Sequence, residues 1–333
     1  MSNRIDLSIC IVNWNAGHFL LDCVASIQKN LIGLEYEIII VDNASTDNSI
    51  SLFQEHFPDV KVVLCARNDG FAVANNIAIA RSRGRYVLLL NPDTLVYEGT
   101  LEEMVRFMDE HPFVGACGPR LVNPDSGNVE ISARAFPTLL PLLWNLSYLD
   151  RLFPYSSFFS AYQMTYRRDD EIREVDWVTG ACLMARRKAS TQVGELDSHI
   201  FMYLEDVDWC YRFKRAGWQV FYLPMVQIAH YRGQSSKLKL KREETELGVW
   251  GTQQYTQSVL YFYHKHYGIL QTCCLRIIIT LTSLLKAGIW LLDGTLRGGS
   301  WRVGSGRARS YLSTIPVALT WTFCELDPSR EHG

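Results

Sequence analysis

Within its first hundred residues the chain carries four short, uninterrupted apolar runs: LSICIVNW (residues 7–14), YEIIIVDN (36–43), VKVVLC (60–65) and RYVLLLNPD (85–93). An alternating run would make a strand with one wet face. A continuous run of Val, Ile and Leu predicts a strand covered on both faces. Between the runs lie helical patterns, among them residues 19–29 and about 72–83. Strands separated by helices of this length predict right-handed βαβ units and a mostly parallel central sheet, an α/β fold. Ligands bind such sheets beyond the carboxyl ends of the strands.

That rule can be tested against the sequence. Asn13-Trp14-Asn15, Asp42-Asn43, Arg67-Asn68-Asp69 and Asn91-Pro92-Asp93 each fall where a run ends. One such cluster could be turn chemistry, since Asn and Asp suit caps and turns. Four on one rim predict a binding site.

Composition removes several classes. A net charge of -2 supplies no basic field for nucleic acid. Nine cysteines, scattered singly except for Cys273-Cys274 and without a CxxC pair, predict reduced thiols rather than a disulfide frame or a zinc site. The N-terminus runs straight into the first strand without the features of a secretory signal, so a cytoplasmic location is expected.

After about residue 120 the pattern changes. Residues 136–162 are aromatic-rich and broken by proline, and residues 175–187 read as a turn into a strand. Residues 201–218 predict a helix with Glu205, Asp206 and Asp208 near its start and basic residues towards its end, followed by a short strand, WQVFYLP. That charge order suits the helix dipole. From about residue 238 the pattern is helical, and Ile269–Leu292 is strongly apolar.

Three places could carry chemistry. Asp93 ends a buried strand, where a carboxylate can hold a hard divalent cation or simply cap a turn. His230 lies in AHYRGQSS just after a strand, in a polar turn with Gly233, Ser235 and Ser236; it is either a structural histidine or one of two ligands. Glu205-Asp206 is either a helix-dipole pair or a base. As a base, such a carboxylate would take the proton of an attacking hydroxyl.

The segments VNWN, VDNASTD (residues 41–47), NDGFAVANN (68–76), LLLNPD, VTGACLMARR, LEDVDWCYR and HYRGQS occur in an order that resembles the family 2 glycosyltransferases, and within them the bacterial rhamnosyltransferase-like branch. The resemblance covers residues 6–265. It implies the GT-A fold with a C-terminal helical extension, a nucleotide-diphospho-sugar donor, inversion, and Mg²⁺ or Mn²⁺. It implies that Asp42 holds the donor's base, with Asn13 and Asn15 in the same pocket and Asn68, Gly70 and Asn75 along the nucleotide. Asp93 ends the family's DxD-type motif, whose first acid is replaced here by Asn91, itself placed among the residues lining the nucleotide. Asp93 and His230 are the implied metal ligands. Asp206 matches the general base, with Glu205 beside it, and Gly180, Trp177 and Asp208 belong to the donor and acceptor face.

The expected organisation is a catalytic domain over residues 1–236, with its donor half at about 1–120 and its acceptor half at about 121–236. A helical region over 237–333 follows. Arg276 and Lys286 interrupt the apolar stretch, and the uncharged run between them is only residues 277–285. A charge at the centre of a spanning helix costs about 2.5–3.5 kcal/mol. The stretch, with Arg297, Arg302, Arg307 and Arg309 after it, therefore predicts a helix lying on the membrane surface with Arg and Lys snorkelling, or one packed on protein or across a homodimer. The expected role is transfer of a sugar, L-rhamnose from dTDP-rhamnose, to a lipid-linked glycan in cell-surface polysaccharide (O-antigen or cell-wall) assembly, peripheral to the inner face of a bacterial plasma membrane. Another UDP-, dTDP- or GDP-hexose is the alternative donor. A nucleotidyltransferase would need a Gly-rich, basic phosphate loop, which VNWNAGHF is not. A non-catalytic sugar-binding scaffold would be expected to lack Asp93, Asp206 or His230, and all are present.

Overall fold

The computed structural model describes residues 5–168, 170–231, 244–296 and 301–322; Gly233, Ser235, Ser236 and Arg297 lie outside them. In chain order the elements are β1 (Leu7–Asn13), α1 (Phe19–Asn30), β2 (Tyr36–Asp42), α2 (Ser49–His56), β3 (Lys61–Leu64), α3 (Phe71–Arg81), β4 (Tyr86–Leu90), β5 (Thr94–Val96), α4 (Thr100–Glu110) and β6 (Val114–Val122). Then come β7 (Val129–Glu130), β8 (Ala133–Arg134), α5 (Leu139–Leu146), α6 (Leu149–Leu152), β9 (Arg173–Glu174), β10 (Trp177–Val178), β11 (Cys182–Arg186), α7 (Arg187–Val193), α8 (Glu205–Arg215) and β12 (Gln219–His230). Four helices close the described chain: α9 (Glu244–Tyr267), α10 (Ile269–Leu296), α11 (Trp301–Leu312) and α12 (Thr314–Thr320).

These elements divide into two compact units. The first comprises the described residues of Met1–Phe136, Arg168–Ser198 and Glu205–Lys239; the second, those of Pro137–Arg167, His199–Leu204 and Leu240–Gly333.

The first unit is built on one sheet of order β3-β2-β1-β4-β11-β6-β12-β5, with β7 beside β6 and β9 beside β12. Strands β1 to β4 pair in parallel. β1 and β4 are buried along their length, as uninterrupted apolar runs require. β3 differs: as an edge strand its ends are exposed, so only part of its run is covered. The core joins Ile9, Ile11, Leu88, Leu90 and Met184 from the sheet to Leu20, Val24 and Ile27 of α1.

Register positions the rim. Asn13 faces Asp42 across the β1–β2 pair, so both polar residues end up side by side. β11 runs antiparallel to β4, pairing Cys182 with Leu90. The residues just before β11 therefore meet the residues just after β4, and the Asn91 N–H donates to the Ala181 carbonyl at 3.0 Å.

Helix α8 starts at Glu205, four residues after the periodicity alone suggests. Tyr203 and Leu204 have φ of 67° and 66°, a left-handed conformation that bulky side chains rarely adopt, and this breaks the helix before Glu205.

In the second unit α10 packs against α9, α11, α12 and α5. It is the one helix among the described residues long and apolar enough to cross a membrane. Its two basic residues do not snorkel outward. Arg276 donates to the carbonyls of Ala318 (2.6 Å) and Leu319 at the end of α12, satisfying helix-terminal acceptors that would otherwise lack partners. Lys286 is buried. Over residues 269–292 the outward face (Leu270, Ile277, Leu281, Leu284, Leu285 and Leu292) is exposed and carries no charge.

Candidate active site

At the ends of β1 and β2 a network of short side chains is built around Asn13. Its side-chain amide donates towards Asp42 Oδ1 (2.8 Å), Ser49 Oγ (2.9 Å) and Ser45 Oγ (3.0 Å), while the Ser45 N–H donates to the other Asp42 oxygen at 3.1 Å. The Asp42 carboxylate is thereby held from two sides. Asn15, at φ 52°, accepts from the N–H groups of Thr46 (2.8 Å) and Asp47 (3.2 Å). Asn13 Oδ1, Asn15 Nδ2 and Asn75 Oδ1 are buried without a partner. Unsatisfied buried amide atoms are costly, and three at the end of one sheet mark a surface shaped for a polar ligand.

Asn68 and Gly70 sit next to this network. Asn43 donates to Asn68 Oδ1 at 2.7 Å and to the Gly70 carbonyl at 3.2 Å. Gly70 begins α3 at φ 94° and ψ 171°, a conformation open to glycine alone. Asn75 lies one turn into α3, its amide donating to the Phe71 carbonyl at 2.9 Å.

Asp93 and His230 come together from β5's leading edge and the end of β12. The strand pairing sets His230 against Thr94, and Asp93 Oδ1 lies 3.4 Å from His230 Nε2. The opposite ring nitrogen, Nδ1, is 2.9 Å from Glu130 Oε2. Glu130 was not legible in the sequence: it lies a hundred residues from His230 in a two-residue strand without a motif. Only the general habit of ligating histidines, which donate their second N–H to a carboxylate, could have prompted a search for such a residue. Burial pushes the His230 pKa down, but the hydrogen bonds and charges of Asp93 and Glu130 outweigh it and hold it up at about 9.

No group of three or more His, Cys, Asp or Glu suited to a metal exists among the described residues. The donor set is two groups, Asp93 and His230, with Glu130 fixing the ring so that Nε2 faces Asp93. A Mg²⁺ or Mn²⁺ ion that takes its remaining ligands from phosphate oxygens and water needs no more from the protein. The residues fit.

Asp206 is the third part. Its Oδ2 accepts the Gly180 N–H at 2.7 Å and its Oδ1 accepts the Val207 N–H at 2.8 Å. Gly180 precedes Ala181, whose carbonyl holds Asn91, so two successive residues tie Asp206 to the Asn91-Pro92-Asp93 turn. A side chain at Gly180 would meet Phe71 and Asp206 only at ordinary contact distances of 3.5–3.6 Å, so packing does not demand glycine there.

Glu205 and Asp206 are both buried, and burial raises both pKa values; Glu205, which also feels the Asp206 charge, lies well above the usual range. Their surroundings separate them. Asp206 has two backbone N–H donors and the Arg134 charge to stabilise its ionised form, whereas Glu205 Oε2 has no partner. The pair titrates as a unit, and the proton it retains belongs on Glu205, leaving Asp206 ionised.

Two further residues are engaged elsewhere. Asp208 is fully buried and accepts from Arg212 Nε at 2.8 Å, and that guanidinium also caps the carbonyls of Val193 and Glu195. Trp177 donates its indole N–H to the Ala135 carbonyl at 2.9 Å beneath the Arg134 guanidinium. Both brace the elements that carry Gly180 and Asp206.

The family model for "Glycosyl transferase family 2" matches residues 8–173. The chain is 31% identical over 210 residues to the N-acetylglucosaminyl-diphospho-decaprenol L-rhamnosyltransferase of Mycobacterium tuberculosis, covering 60% of this chain and 67% of that one. This chain belongs to glycosyltransferase family 2. It is also 27% identical over 210 residues to the rhamnosyltransferase WbbL of Escherichia coli K12, covering 59% of this chain and 73% of that one. Among solved structures the glycosyltransferase is similar to the mannosyltransferase PcManGT of Pyrobaculum calidifontis, solved with GDP-Man and Mn²⁺. The TM-score is 0.56 at 14% identity, over 96% of this chain and 88% of that one. GalNAc-T7, solved with UDP, GalNAc and Mn²⁺, gives 0.52 at 17% identity, over 80% of this chain and 52% of that one. The fold is GT-A.

Proposed function

We propose that this glycosyltransferase transfers L-rhamnose from dTDP-L-rhamnose, with inversion and with a divalent metal, to a hydroxyl of a lipid-linked glycan. The reaction belongs to bacterial surface polysaccharide assembly at the inner face of the plasma membrane. Two relatives named as rhamnosyltransferases, one acting on a diphospho-decaprenol, support the donor and acceptor class. The Mn²⁺ in the two structural neighbours supports the metal.

The observation that carries the reading is the Asp206 carboxylate, buried, raised in pKa and aimed by the Gly180 N–H. Asp206 takes the proton of the acceptor hydroxyl as that oxygen attacks the anomeric carbon. The bond from that carbon to the diphosphate oxygen breaks on the opposite face, and the nucleoside diphosphate leaves. Glu205 keeps its own proton because of burial and the neighbouring Asp206 charge, and burial holds the Asp206 pKa up. Asp42, Asn13 and Asn15 bind the base, and Asn68, Gly70, Asn75 and Asn91 line the nucleotide. Asp93 and His230 hold the metal, which when bound offsets the charge developing on the leaving diphosphate.

We assign catalysis to residues 1–236 and membrane contact to the helical region 237–333. The uncharged outward face of α10 supports this, because an apolar face of that extent binds a bilayer interface.

The test is a hydrolysis and transfer screen over nucleotide sugars with Mg²⁺ or Mn²⁺, with the product's anomeric configuration read by NMR. dTDP-L-rhamnose should be turned over best and give the inverted product. A retained configuration, or turnover unaffected by chelator, would sink the mechanism; preference for another sugar would sink the donor assignment.

A further inference from the structure

Helix α10 has two contrasting faces: outward it is uncharged and exposed, and inward it carries Lys286. That residue is buried and has no hydrogen bond or ion pair among the described residues, only the rings of Tyr148 (4.5 Å) and Tyr311 (5.0 Å) beside its ammonium. It lines a partly open cavity of about 190 Å³ inside the second unit, whose walls include Leu142, Leu146, Val259 and Ile279. An apolar cavity of ~150 Å³ is enough to admit benzene, so this one has room for a small head group and the first carbons of an apolar chain that leaves by its open side.

A buried, unpaired cation costs several kcal/mol unless something neutralises it. Among the described residues none pairs with it. Asp150 acts on it only through its charge, without an ion pair; one of its carboxylate oxygens takes the Asn145 amide at 2.7 Å and the other is buried without a partner. Arg151 adds positive charge on the same side, stacked on Tyr148 at 4.6 Å. Tyr148 itself sits at φ 65°, a strained conformation for a tyrosine, to bring its ring to both cations and its hydroxyl to that of Tyr311 at 2.5 Å. Strain and an unpaired charge kept together point to a ligand.

We propose that this cavity binds the phosphate end of a prenyl phosphate, with the phosphate on Lys286 and the first isoprene units against Leu142, Val259 and Ile279. The charge fits an anion and the walls fit a hydrocarbon. The apolar outer face of the same helix is where such a lipid would be met. The inference deepens the proposed acceptor class and rests on that reading for its biological sense, but its binding can be measured separately.

The experiment is calorimetric titration of the full chain with farnesyl phosphate, for the wild type and Lys286→Met. The substitution keeps the length and removes the buried charge, so the variant should fold with an equal or higher Tm. Wild type should bind farnesyl phosphate, and Lys286→Met should bind it at least tenfold more weakly while binding nucleotide-sugar donor unchanged. Equal binding by the variant overturns the proposal. So does displacement of farnesyl phosphate by equal concentrations of inorganic phosphate, which would mean a plain anion site. Displacement by phosphatidylglycerol vesicles overturns it too, by assigning the site to bulk lipid headgroups. If farnesyl phosphate binds as expected but no nucleotide sugar is turned over, the transferase reading falls and the cavity assignment stands.

Discussion

His230, poised between Asp93 and Glu130, makes the fold's stability depend on pH in a way that can be worked out. A histidine whose pKa is raised on folding stabilises the folded state fully below its unfolded value, 6.5, and loses that contribution as pH rises through about 9. At ~1.4 kcal/mol per tenfold change in proton affinity, the rise is worth at most about 3 kcal/mol. Solvent screens little of it, because the His230 side chain is only 9% exposed. Above pH 9 a neutral ring sits between the two carboxylates. The perturbation is a pH series on protein stripped with EDTA, comparing wild type with His230→Gln by urea unfolding between pH 6 and 10. Wild type should lose about 3 kcal/mol relative to the variant over that range, nearly all of it between 6.5 and 9.5. The same proton must leave Nε2 when a metal binds, so titration with Mn²⁺ at pH 7 should release about one proton per ion. Parallel unfolding curves for the two proteins, or metal binding without proton release, would refute the reasoning.

Other expectations concern the reaction and the membrane. Asp206→Asn should lower kcat by about 10²–10⁴-fold, the usual worth of a general base, with donor binding nearly intact; normal turnover would remove Asp206 from that role. Asp93→Ala should weaken donor binding in the presence of Mn²⁺ and leave metal-free nucleotide binding as it was, as equilibrium titration would show. Glu205→Gln replaces an already neutral carboxyl, so the acid limb of the kcat/KM profile should stay where it is; a limb moved to lower pH would mean that Glu205 carries charge beside Asp206. Leu281→Glu with Leu285→Glu should abolish sedimentation with anionic vesicles without altering turnover on a water-soluble acceptor, and unchanged sedimentation would exclude the outer face of α10 as the contact.

By itself the sequence determined the sheet and its rim. Short continuous apolar runs separated by helical patterns favour strands covered on both sides, as β1 and β4 are, and the polar residue closing each run then falls at the carboxyl edge. Asn13, Asp42, Asn91 and Asp93 were therefore locatable before any coordinates. The ordered motifs carried the family and pointed to Asp206 and His230. What only the tertiary structure decided was partnership. That β11 runs antiparallel to β4, and so brings Gly180 and Ala181 between Asp206 and Asn91, is a matter of topology that local patterning does not encode. Glu130 reaches His230 only because β7 joins β6, the neighbour of β12. Arg276 and Lys286 illustrate the same limit: their spacing on a helix suggested outward snorkelling, and packing against α12, Tyr148 and Tyr311 turned both inward. Periodicity gives the face of an element, but which groups meet across a hundred residues depends on the whole fold closing.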